Sequence, residues 1–72
     1  MKQLVIEDLY KLPEILREER IKQHKTQHQI AIRARVGINT IYLTENGKCT
    51  PGLYVLSSWV RALGYEELVI KC

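Results

Sequence analysis

Gln27-His28-Gln29-Ile30-Ala31-Ile32-Arg33-Ala34-Arg35-Val36-Gly37-Ile38-Asn39-Thr40-Ile41-Tyr42-Leu43-Thr44-Glu45-Asn46-Gly47-Lys48 decides how this chain folds. Thr26 stands just before it and Gln29 three residues after Thr26, the spacing of a capping box that opens a helix. Ile30, Ala31 and Ala34, with Val36 following, give that helix one apolar face. Gly37 interrupts the pattern. A second helix is predicted from Ile38 to about Thr44, with Ile41 turned inward. Asn46-Gly47 ends it, because glycine takes the left-handed conformation that closes a helix. Two helix starts, a sharp turn and a glycine stop in about twenty residues have the size and punctuation of a helix-turn-helix unit.

Upstream, Leu9, Leu12, Ile15, Leu16 and Ile21 approach a helical spacing, and Asp8 suits an N-cap. Pro13 lacks an N–H and clashes one turn back in a helix interior. The reading is therefore a helix over 13–23 with a preceding turn. Downstream, Pro51-Gly52 opens a segment in which Leu53, Leu56, Trp59, Val60 and Leu63 repeat every three or four residues up to Gly64. This stripe, Trp59 included, reads as core. Gln3-Leu4-Val5-Ile6 and Leu68-Val69-Ile70-Lys71 are too short for helices and rich in β-branched residues, so both read as short strands. They can pair with each other or with the same segments of a second chain.

With 72 residues the chain makes one small domain, residues 1–72, with a core over about 12–64 and terminal segments 1–7 and 65–72. A hydrophobic content of 46% excludes a disordered chain. A core this small is marginal alone, which favours a dimer or an unusually local fold. No apolar run approaches the ~20 residues of a membrane span, and the early acids Glu7 and Asp8 do not suit a signal peptide. A cytoplasmic protein with no membrane partner is expected.

The net charge of +3 is mild, but its distribution is uneven. Up to Glu19, five acids (Glu7, Asp8, Glu14, Glu18, Glu19) outnumber Lys2, Lys11 and Arg17. From Arg20 to Lys48, six bases (Arg20, Lys22, Lys25, Arg33, Arg35, Lys48) face the single acid Glu45. A basic middle suits a face turned to phosphates. On charge alone, a solvated helical surface is slightly the better explanation. Cys49 and Cys72 make no disulfide framework. His24 and His28 are one turn apart, but a helix start falls between them, and a closed metal site needs three or four ligands. No metal and no cofactor are expected. No nucleophile–base pair, carboxylate pair or phosphate-cradling glycine loop is present, so an enzyme is not expected.

Taken in order, Arg20, Thr26-Gln27, Ala31, Gly37, Thr40-Ile41, Glu45-Asn46-Gly47-Lys48, Pro51, Leu53 and Arg61-Ala62-Leu63-Gly64 resemble the Cro/repressor-type helix-turn-helix family, also called the XRE family. The match runs without gaps from about Leu16 to Leu68. The resemblance implies a mainly α, lambda-repressor-like domain of four to five helices, with short terminal β-segments used in dimerisation. It implies a sequence-specific regulator of transcription in the nucleoid of a prokaryote or a phage. Such a regulator, most readily a dimeric repressor, binds double-stranded DNA at a near-palindromic operator through the helix 38–44. Its DNA-binding residues would be Gln27, Gly37, Ile38, Asn39, Thr40, Leu43, Asn46 and Lys48. Gln27, Asn46 and Lys48 would meet phosphates. Asn39 can bond an adenine edge through two hydrogen bonds, whereas Ile38 and Leu43 offer only apolar contacts, such as to thymine methyls. Arg20 and Glu45 match a family pair that forms a buried ion pair.

The chain departs from the family pattern in four places. His24 and Lys25 occupy a turn that usually has Gly followed by an apolar residue. Arg35 stands where Gly is usual and would be strained if left-handed. Thr44 replaces a large apolar residue, which thins the core. The ending Leu63-Gly64-Tyr65-Glu66-Glu67-Leu68-Val69-Ile70-Lys71 is similar to that of antitoxins of the HipB and HigA sort. That similarity implies an alternative role, a protein-binding antitoxin that neutralises a partner toxin and represses its own operon. No ligand-binding domain is expected after the core, so an inducing signal would come from a partner protein, proteolysis or concentration.

Overall fold

A computed structural model describes residues 2–71; Met1 and Cys72 lie outside them. The expectation that Cys72 is unpaired with Cys49 is therefore not addressed by the fold. Strand β1 (Gln3–Ile6) leads through a 3-10 turn (Leu9–Lys11) into α1 (Leu12–Lys22). Then come α2 (Gln27–Ala34), α3 (Ile38–Glu45), α4 (Leu53–Ala62) and strand β2 (Glu67–Ile70). The mainly helical fold class is the one expected. No helix among the described residues is long and apolar enough to cross a membrane.

Pro13 sits in the first turn of α1, where its missing N–H would have had no helical partner anyway. Asp8 caps the turn before it, accepting from the Tyr10 N–H at 3.0 Å. At the start of α2 the capping box is complete. The Gln29 N–H donates to Thr26 Oγ1 at 3.1 Å, and the Thr26 N–H donates to Gln29 Oε1 at 2.8 Å.

All four helices stop in the same way. A residue with positive φ follows each one: His24 (57°), Arg35 (58°), Gly47 (74°) and Gly64 (90°). The next N–H then donates back to a carbonyl five residues earlier: Lys25 to Arg20, Val36 to Ala31, Lys48 to Leu43 and Tyr65 to Val60. This closure satisfies orphan carbonyls at each end. His24 and Arg35 hold a conformation that costs an L-residue about 1–2 kcal/mol. Arg35→Gly therefore raises stability by up to about 1 kcal/mol, after the greater chain entropy of glycine is offset. Urea unfolding of the two proteins checks this; an unchanged or lowered midpoint would mean that the Arg35 side chain contributes more than its backbone loses.

The core gathers Ile6, Leu16, Ile30, Ile41, Trp59, Val60 and Leu63, all fully buried or nearly so. Three positions of the apolar patterns lie outside it, the first being Leu9, which is 53% exposed in the 3-10 turn ahead of α1. Ile21 is 50% exposed because it stands nine residues, about two and a half turns, from Leu12, on the opposite face of α1. Leu53 is 78% exposed because it lies at the edge of the α4 stripe, in the helix's first turn. Thr44 is completely buried, and its hydroxyl oxygen has no partner among the described residues. The core therefore carries there an unpaired polar group of the kind that costs about 1–3 kcal/mol.

The terminal strands pair with each other within the chain, in parallel, with Leu4 opposite Leu68 and Ile6 opposite Ile70. β2 begins and ends one residue earlier than the predicted 68–71. Parallel strands need a long crossover, and here the whole helical core serves as one. Leu4 and Ile6 point into the core while Val5 faces out, the alternation of a half-buried strand. The Tyr65 hydroxyl donates to Glu19 Oε2 at 2.8 Å, tying the segment before β2 to α1. Burial first, and then the Glu19 carboxylate, raise the Tyr65 pKa above its ordinary value.

Candidate nucleic-acid interface

The geometry of the α2–α3 unit rests on one carboxylate. Glu45, at the end of α3, has a side chain only 2% exposed. Arg20, from the far end of α1, grips it with two parallel bonds: Nε to Oε2 and Nη2 to Oε1, both 2.9 Å. Arg20 Nη1 also donates to the Lys25 carbonyl at 2.9 Å, so the same guanidinium holds the α1–α2 turn. Gln27 Nε2 adds a third donor to the carboxylate at 3.2 Å. A planar guanidinium suits this fork, which a lysine cannot reproduce. The turn is pinned from its other side as well. Gln23 Nε2 donates to the Leu63 carbonyl at 2.7 Å, and Lys25 Nζ to the Ala62 carbonyl at 3.3 Å. Lys25 thus caps the C-terminus of α4 and is not a free base of the basic middle.

Against this frame, α3 shows one exposed stripe. Tyr42 and Leu43 stand three and four residues after Asn39, and Asn46 four and three after them; all are exposed, Tyr42 by 51% and Leu43 by 38%. Asn46 Nδ2 donates to the Tyr42 carbonyl at 2.8 Å, which leaves the Asn46 side-chain oxygen outward and closes the helix end. Lys48 is exposed just beyond. Gly37 opens α3 with extended backbone and no side-chain cap, so the helix start is bare. A shallow groove of about 590 Å³ runs from this stripe to Arg17, His24 and Gln27.

The structure places the residues expected to contact DNA unevenly. Asn39, Leu43, Asn46 and Lys48 share the exposed side. Ile38 is half-buried and packs against the core, because it sits on the inner flank of the first turn of α3. Thr40 is also half-buried. The Gln27 side chain is turned toward Glu45, a buried carboxylate that needs donors, so of Gln27 itself the backbone is what is left for a phosphate. Tyr42, which sequence reasoning missed, joins the stripe. Its spacing of three from Asn39 was the available signal. Arg17 and His24, also missed, enter only through the fold.

No family model matches the chain, and no curated protein does. Among solved structures the chain is similar to the wild-type restriction-modification controller protein C.Esp1396I. The TM-score is 0.75 at 18% identity, over 79% of this chain and 74% of that one. It is similar also to a tyrosine-to-phenylalanine mutant of that protein, with a TM-score of 0.75 at 16% identity, over 83% of this chain and 78% of that one. At such identity the likeness is one of architecture: this chain has the helix-turn-helix fold of the controller protein.

Proposed function

We infer that the chain is a sequence-specific double-stranded-DNA-binding regulator of transcription, acting as a dimeric repressor on a near-palindromic site. The observation that carries this reading is the exposed α3 stripe of Asn39, Tyr42, Leu43 and Asn46, held rigid by the buried Arg20–Glu45 pair. A helix presented this way fits the major groove, where Asn39 meets base edges. Lys48 and the groove cation Arg17 supply sequence-independent attraction to the backbone. The shared fold with a restriction-modification controller supports the same class. The antitoxin reading draws on the terminal strand alone, and that strand's partner is β1 of the same chain. It is the lesser of the two.

The test is selection from a random duplex library followed by titration at several salt concentrations. One enriched site is expected, with half-sites about 10–10.5 bp apart, and log K falls linearly with log salt. Lys48→Ala weakens selected and unselected duplexes alike and reduces the salt slope by about 1. Failure to enrich any sequence would count against the reading.

A further inference from the structure

His24 lines the groove beside the α3 stripe, at the turn where α1 ends. The other titratable side chains of that groove come from three elements. α1 contributes Arg17 and Arg20, the turn Lys25, and α3 Tyr42 and Glu45, while the side chains from the start of α2 are uncharged. Glu45 is the one acid of the groove among the described residues, and Arg20 occupies both of its oxygens. Lys25 is engaged with the Ala62 carbonyl. Arg17 is exposed and, among the described residues, takes part in no ion pair. The groove is therefore a concave surface with an excess of positive charge and no free carboxylate to compete for it. His24 is exposed in it and held at a left-handed φ of 57°. Glycine would hold that turn without strain, so an imidazole is carried where any side chain costs about 1–2 kcal/mol. His28, the chain's other histidine, is exposed on α2 and does not line this groove. A larger groove of about 930 Å³ between α4 and β2, with Leu53, Arg61 and Glu66 in its lining, shares no residue with it.

We propose that His24 is a titratable contact to the DNA backbone: its imidazole takes up a proton from solvent when the chain binds and seats a phosphate beside Arg17, so that affinity rises as pH falls. A neutral imidazole offers a phosphate one N–H and no charge. The imidazolium offers two N–H donors and a full charge, and hydrogen bonds assisted by charge are the stronger ones. A phosphate in the groove in turn favours the charged form of the ring. The bound chain thus keeps its proton to a higher pH than the free chain. The added affinity is complete at low pH and is lost as pH rises through the titration of the complex. Histidine is the side chain that changes charge between about pH 5 and 8, so the effect falls in that window. It is independent of base sequence, because the partner is a phosphate. The proposal rests on the DNA reading above and adds to it a residue and a proton.

Anisotropy titrations of the full chain test it, on the selected duplex and on an unrelated one, at about pH 6 and about pH 8 and at several salt concentrations. The wild type binds both duplexes at least about tenfold more tightly at the lower pH, since one proton per chain changes log K by up to one decade per pH unit. Its salt slope is also steeper there by about 1 per chain, because each imidazolium neutralises one more phosphate. His24→Asn, a residue that tolerates left-handed backbone, loses both effects. His24→Lys is charged at either pH and binds at the higher pH as tightly as the wild type does at the lower. His28→Gln behaves as the wild type. Circular dichroism at both pH values reports that each variant is folded. Wild-type affinity and salt slope that do not change with pH, a pH effect that survives in His24→Asn, or one that disappears in His28→Gln would overturn the proposal. A chain that binds no duplex at either pH overturns the DNA reading itself, and the His24 contact falls with it.

Discussion

Arg20→Ala lowers the stability of the fold by about 3–5 kcal/mol. The loss is large because of what remains behind. Glu45 is 2% exposed in its side chain, and Arg20 provides two of its three side-chain donors. Without the guanidinium, the carboxylate is buried with Gln27 alone. The Lys25 carbonyl loses its donor too, so the α1–α2 turn loosens at the same time. Small domains have only about 5–15 kcal/mol in total, so a single substitution removes a large share. Urea unfolding followed by fluorescence of Trp59, the one tryptophan and fully buried, measures it. Arg20→Lys recovers only part of the loss, because an ammonium keeps the charge and not the fork. Replacing both partners, Arg20→Met with Glu45→Leu, costs less than either single change, since no charge is then stranded. A double variant as unstable as the sum of the singles would show that the two residues act separately.

Asn39→Ala lowers affinity for the selected site by about 5- to 150-fold, the equivalent of the 1–3 kcal/mol that a bidentate side chain–base contact contributes. Affinity for unrelated duplexes changes little, because Asn39 carries no charge to release counterions. The loss is confined to one A·T pair in each half-site. Changing that pair weakens the wild type and leaves the variant indifferent. Anisotropy titrations on the selected duplex and on its single-pair variants check both parts. Equal weakening on every duplex would make Asn39 a backbone contact or a structural residue. Tyr42→Phe, which removes only a hydroxyl from the same stripe, gives a smaller change.

These two residues show what could be read before any fold was in hand. The helix punctuation was legible because its causes are local. Thr26 and Gln29 cap within one turn, and Gly47 closes α3 through a bond from Lys48 to Leu43. The strand pairing was not legible, since Gln3 and Glu67 stand 64 residues apart and either end could as well meet another chain. Spacing alone placed Ile21 and Leu53 in the core. Their rotation about the helix axis and their position at an end put them outside it. Gln27 was expected at a phosphate through its position at the start of a helix. The demand of a buried carboxylate for donors, a tertiary fact, turned its side chain to Glu45. Tyr42 stands outside the reading positions that the resemblance implies, and the shared face of α3 brings it beside Asn39 and Leu43. Arg35 stands where the resemblance expects Gly, and its left-handed φ of 58° is the strain expected there.

Whether α3 is the surface that meets DNA is decided most directly by an NMR titration of the labelled chain with its selected duplex. The largest amide and side-chain shifts are predicted at Asn39, Tyr42, Leu43, Asn46 and Lys48, with smaller ones at the backbone of Gln27. The groove between α4 and β2 should stay unmoved. Shifts concentrated at Leu53, Arg61 and Glu66, with the α3 stripe unperturbed, would contradict a DNA-reading role for α3.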